Sequence, residues 1–177
     1  MAHLQLQKLS AWDLAYAIDM AAASAITYCL MALVIPPLVN RPPDPIGILW
    51  AVISTIFVFR DTRARSLSAG ISRVAATSVS FILCLIYLLL FPANPLGICV
   101  LIAIGALFMM AVRRRDDIGL TAITTSVVLI VAASNPQDAW QQPLLRLMDT
   151  LVGVAVGIIC KWIASFVFYR VVGEDIR

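Results

Sequence analysis

Charge is scarce in this chain of 177 residues: 13% are Asp, Glu, Lys or Arg, against roughly 25% in an ordinary water-soluble domain. Histidine is scarcer still, with His3 alone near the chain start. H-E-x-x-H, G-x-S-x-G and Walker sequences do not occur, so hydrolytic and nucleotide-driven catalysis has no residues to rest on, and neither has a haem held by two histidines. The chain therefore reads as no enzyme, with no cofactor. The four cysteines, Cys29, Cys84, Cys99 and Cys160, lie in apolar runs without a C-x-x-C pair, which fits small packing residues rather than a metal site or redox centre. No stretch between the apolar runs is long enough to bury a core of its own, which excludes a separate catalytic, nucleotide-binding or nucleic-acid domain.

What the chain has in abundance is hydrocarbon. Hydrophobic residues make up 62% and the mean hydropathy is +0.95, the composition of a membrane protein. A helix needs about 20 residues to cross the ~30 Å hydrocarbon layer, so six crossings use roughly 120 residues. Six apolar segments can be marked, at about 14–35, 46–59, 66–91, 96–112, 118–133 and 143–169. The links between them are too short for anything but an all-α bundle. The expected division is an interfacial segment over 1–13, a six-helix transmembrane domain over 14–169, and a tail over 170–177. Pro36-Pro37 is expected to end the first helix, because two successive prolines remove backbone donors.

Basic residues set the orientation. On one side of a six-span arrangement lie Lys8, Arg60, Arg63, Arg65, Arg113, Arg114, Arg115, Arg170 and Arg177, and on the other Arg41 and Arg146, a bias of nine to two. Both termini are therefore expected in the cytoplasm, in a multi-pass protein of the cell (inner) membrane.

The chain also carries an internal echo. Placing Arg73 over Arg146 brings Thr77 onto Thr150, Ser80 onto Gly153 and Cys84 onto Gly157, and a small adjustment brings Ser54 onto Ser126. The repeats would cover about 14–91 and 96–169. Each unit has three spans, so the second is turned over relative to the first: an inverted repeat, with the two shortest segments, the second and fifth, at matched positions.

Ionisable residues inside a span cost about 2.5–3.5 kcal/mol near the bilayer centre and require partners or a watery path. Asp19 and Arg73 are expected at similar depth on one cavity, as an ion pair or as an anion site with an adjacent acid; the alternatives are a structural hydrogen bond for Asp19 and snorkelling for Arg73. Asp19 and Asp149 are also candidates for proton coupling. Arg146 and Asp149 are neighbours on one helix face. That face continues through Thr150, Gly153, Gly157 and Lys161, either as a packing seam, since glycines four apart admit a close backbone, or as a polar line facing a pathway. The hydroxyls of Ser54, Thr121, Thr124, Thr125 and Ser126 could replace water around a solute or bond their own helix backbone. Trp50 could stack on an aromatic substrate or simply pack.

Trp50-Ala51-Val52-Ile53-Ser54, Thr62 and Gly70-x-x-Arg73-x-x-x-Thr77, echoed by Thr124-Thr125 and Arg146-x-x-x-Thr150-x-x-Gly153-x-x-x-Gly157, resemble the membrane domain of the fusaric acid resistance and aromatic acid exporter superfamily, related to the aluminium-activated malate channels of plants. Ser80 and Cys84 stand where that pattern has glycine. Many members continue into a cytoplasmic domain, whereas this chain ends soon after Tyr169. The resemblance implies an exporter or channel for small organic anions, with Arg73 and Arg146 as the family's helix-start arginines. The expected partners are the organic anion, the lipid bilayer and a second copy of the chain, without nucleic acid. A non-transporting membrane scaffold subunit is the alternative.

Overall fold

A computed structural model describes residues 11–40 and 42–172, with side chains from 12 to 167 apart from 41. Most of the opening segment 1–13 with Lys8, Arg41, and the tail beyond 172 with Arg177 lie outside the described residues. Within these bounds all regular secondary structure is helical, with α1 Ala11–Cys29, α2 Ile35–Val39, α3 Pro45–Val58, α4 Arg63–Leu90, α5 Pro95–Ala111, α6 Ile118–Ser134 and α7 Gln141–Val172.

Helix starts follow local chemistry. Asp44 caps α3 by accepting from the Ile46 amide at 3.0 Å, with Pro45 in the first turn, where a missing N–H is no loss. Thr62 caps α4 by accepting from Arg65 N at 3.2 Å, and Asn94 caps α5 by accepting from Gly97 N at 2.7 Å. The first span does not stop at Pro36-Pro37 as expected. A π-helical turn over Leu30–Val34 intervenes, and both prolines then fall in the opening turn of α2, the one place where a helix tolerates them. The chain finally turns at Asn40, with φ 54°, a left-handed conformation that asparagine accepts.

The two longest helices, α4 and α7, run through the middle. α7 packs on α1, α3, α4 and α6, while α4 packs on α3, α5, α6 and α7. The approach of α3 to α7 is close because of glycine: a Cβ on Gly153 would overlap the carbonyl oxygen of Ala51, and one on Gly157 would stand 3.2 Å from that of Thr55. Hydroxyls hold the seam. Thr55 Oγ1 donates to Gly153 O at 2.9 Å and lies 2.8 Å from Thr27 Oγ1 of α1. On the other side of the bundle Ser80 Oγ of α4 donates to Thr121 O of α6 at 2.9 Å.

Burial runs opposite to the habit of water-soluble proteins. Thr27, Ser54, Thr55, Ser80, Thr121, Thr124, Thr150 and two arginines are buried, while Leu33, Leu38, Leu89, Leu96, Leu107 and Ile163 are exposed. Lipid tails are as apolar as leucine, so nothing drives leucine inward in a membrane, whereas hydroxyls gain from facing another helix. Among the described residues four helices are long and apolar enough to cross a membrane, over Trp12–Val39, Arg63–Leu90, Arg115–Ser134 and Gln141–Val167; α3 and α5 are shorter, with 14 and 17 residues.

Two alanine substitutions test the seam. Gly153→Ala should lower stability by about 1–3 kcal/mol, because the added methyl meets rigid backbone. A Cβ on Gly119 meets nothing within 4 Å, so Gly119→Ala should be neutral or stabilising by up to about 1 kcal/mol. Thermal unfolding in detergent micelles would read both.

Candidate functional site

The two buried arginines have opposite surroundings. Arg146, five residues into α7, is 1% exposed. Its Nη2 lies 2.5 Å from Asp44 Oδ2 at the start of α3, and its Nη1 lies 3.1 Å from Asp149 Oδ2 one turn along α7. Arg73, ten residues into α4, is 2% exposed, and no described carboxylate pairs with it. Its Nε donates to Ser54 Oγ over a long 3.4 Å, and its guanidinium carbon stands 4.9 Å from the Trp50 ring centre and 5.1 Å from that of Phe57. Nη2 of Arg73 and Oγ1 of Thr77, one turn on, are buried without a hydrogen-bond partner, as are Nε and Nη1 of Arg146, so the two arginines differ in their ion pairs rather than in unmet donors.

Aromatic faces stabilise a cation by about 0.5–2 kcal/mol, well short of the several kcal/mol that desolvating a guanidinium costs. Arg73 thus has unused capacity for an anion. It opens on a cavity of about 430 Å³, lined also by Phe57, Arg60, Ser72, Asp117 and Ile123, a volume within the range of small-ligand sites. This cavity lies toward the end of the bundle that carries Arg60, Arg63, Arg65 and Arg113 to Arg115.

A relay of hydrogen bonds connects the arginines through α3. Ser54 Oγ donates to Trp50 O at 2.8 Å, Trp50 Nε1 donates to Thr150 Oγ1 at 3.1 Å, and Thr150 Oγ1 donates to Arg146 O at 2.8 Å. Trp50 therefore braces α3 against α7 through its edge and backs Arg73 with its face. Gly153 and Gly157 form the packing seam rather than the wall of a cavity.

Other expected groups are placed differently. Thr124 Oγ1 donates to Leu120 O at 2.9 Å, Thr121 Oγ1 to Asp117 O at 3.0 Å and Ser126 Oγ to Ala122 O at 2.8 Å, each one turn back along α6, while Thr125 Oγ1 donates to Ser80 Oγ of α4 at 3.2 Å. Asp19 does not share the cavity of Arg73. It lines a different one of about 450 Å³ with Trp12, Tyr16, Asp61, Lys161 and Ser165, because its face of α1 turns toward α7. There the Lys161 ammonium sits 5.3 Å from the Tyr16 ring and 5.2 Å from the Phe59 ring. Asp149 pairs with Arg146.

Sequence reasoning missed Asp44, Phe57, Arg60 and Asp117. Asp44 carried a usable signal, an acid directly before a helix-starting proline. The others become neighbours of Arg73 only through packing. Among the described residues no group of three or more His, Cys, Asp or Glu is placed to hold a metal ion.

The contrast predicts opposite responses to neutralisation. Arg146→Gln strands Asp149, which is 7% exposed, and should cost about 3–5 kcal/mol. Arg73→Gln strands no acid and should leave thermal stability in detergent unchanged or slightly raised.

Residues 44–160 match the family model described as fusaric acid resistance protein-like. The match spans both arginines, the cap Asp44 and the α3 seam, and leaves out Asp19 and Lys161. No curated protein and no solved structure matches the chain. With about two thirds of its length matched, the chain belongs to the fusaric acid resistance protein-like family, and is a membrane protein of transporter type.

Proposed function

We propose that this protein moves small organic anions, aromatic carboxylates among them, across the cell (inner) membrane and out of the cytoplasm, with Arg73 as the group that binds the carboxylate. The observation that carries this reading is the buried guanidinium of Arg73, without a carboxylate partner, between two aromatic rings and open to a cavity of about 430 Å³. A carboxylate in that cavity would find the Arg73 guanidinium as donor, and an aromatic ring would find Phe57. Arg60 adds a second positive charge at the same cavity, where Asp116 and Asp117 supply two negative ones. The arginine bias supports a cytoplasmic position for this end.

In this reading the bundle has six spans in two inverted units, α1 to α4 and α5 to α7. Matched contacts support the arrangement: Gly153 meets the carbonyl of Ala51 as Ser80 meets that of Thr121, and Gly157 meets Thr55 as Cys84 meets Thr125. This pairs Ser54 with Thr124, two residues from the Ser126 suggested by sequence. α3 and α6 then change places under the pseudo-symmetry, and rocking of the two units would alternate access. The working unit is a homodimer in the bilayer, as its exposed leucine-rich faces allow.

Benzoate efflux from liposomes tests the proposal. Saturable flux should fall at least about tenfold in Arg73→Gln, the loss of a charge-assisted pair worth roughly 1.5–3 kcal/mol. Phe57→Leu should reduce the preference for benzoate over acetate by about threefold, the value of one ring contact. Flux unchanged in Arg73→Gln, together with a membrane partner that copurifies in fixed ratio, would mark a scaffold subunit instead.

A further inference from the structure

Arg146 and Arg73 hold matching places on α7 and α4, yet only Arg146 is neutralised. Its principal partner, Asp44, is the N-cap of α3. The residue before α6, the counterpart helix, is also an aspartate, Asp117, although its side chain makes no capping hydrogen bond. Asp117 is 8% exposed and lines the same cavity as Arg73. Its carboxylate is turned the other way, 3.3 Å from Arg114 Nε, and Arg114 Nη2 in turn lies 3.5 Å from the hydroxyl of Ser72, the residue beside Arg73. The cavity is thus lined by two carboxylates, Asp116 and Asp117, and by Arg60 and Arg73, and Asp117 pairs with neither of these arginines but with Arg114.

We propose that Asp117 is the internal counter-ion of Arg73: it swings from Arg114 to Arg73 when the transported anion leaves, and a bound anion excludes it. This rests on the anion-binding reading of Arg73 given above. A bare guanidinium in a low-dielectric site draws the nearest available carboxylate, and Asp117 and a substrate compete for the same donors. Arg114 biases the competition toward an open site by holding Asp117 aside. Departure of the anion and closure of the arginine-rich end become one event, and the closed end then has the arrangement that Arg146 and Asp44 display at the opposite end.

The competition can be read at Gly119, which lines the cavity and has open space beside it. In the full chain carrying Gly119→Cys, labelling by a water-soluble maleimide reports access, with the chain lacking that substitution as blank. Protection by benzoate reports binding. Removing the competitor with Asp117→Asn should tighten benzoate protection by about three- to tenfold, and Arg114→Gln should weaken it by a similar factor, as an apparent affinity scales with the fraction of competent sites. Both effects should vanish when Arg73→Gln is also present. Asp117→Asn protection equal to or weaker than that of the parent would overturn the proposal, because an aspartate that merely supports Arg114 would not compete. Should benzoate protect no variant, the substrate class falls and the counter-ion is read without it. Arg114→Gln should then slow maleimide labelling by about fivefold, and adding Asp117→Asn should restore it. Labelling rates equal in all variants would refute the counter-ion itself.

Discussion

A guanidinium cannot lose its proton in this setting and is costly to strip of water, so each buried arginine obliges the surrounding structure to supply compensation. Arg146 obtains it from Asp44 and Asp149 and becomes a bolt between the start of α3 and α7. Among the described residues Arg73 obtains a long hydrogen bond and two aromatic faces and no carboxylate. The asymmetry divides one bundle into a locked end and a receptive end.

The rest of the architecture serves to hold that contrast. α3 bears Ser54 and Trp50, which meet Arg73, and starts at Asp44, which meets Arg146. Its position against α7 depends on Gly153 and Gly157, which let backbone approach backbone, and on Thr55, which uses its hydroxyl on the Gly153 carbonyl. With van der Waals contact and interhelical hydrogen bonds as the forces available between helices in lipid, small residues and hydroxyls at this seam are the natural choice. The Trp50 to Thr150 hydrogen bond makes the same seam the physical link between the two charged ends.

Much of the site was legible residue by residue and little of it pair by pair. Arg73, Thr77, Trp50 and Ser54 stand out in sequence because charged, hydroxyl and indole groups are conspicuous in apolar runs, and the fold brings Trp50 and Ser54 to Arg73, with Thr77 one turn along the same helix. Thr124 and Thr125 stand out for the same reason, yet one turns back to its own helix and the other to Ser80. A sequence reports that a hydroxyl is present, and only the rotation of its helix decides what it meets. Asp19 shows the same limit: its depth along α1 is readable, but the face on which it falls looks toward Lys161 rather than Arg73.

Hydropathy is a sum over neighbouring residues, and so the sequence alone determined an all-helical membrane bundle with arginines that needed an explanation. It misjudged the end of the first helix, since a π turn shifted two prolines into a harmless position. The tertiary structure decided which arginine is neutralised. Asp44 and Arg146 are 102 residues apart, and nothing local to either residue brings them together. Pairing across such a separation depends on which helix faces meet, and that is settled by the shape of the glycine seam and the hydroxyls beside it.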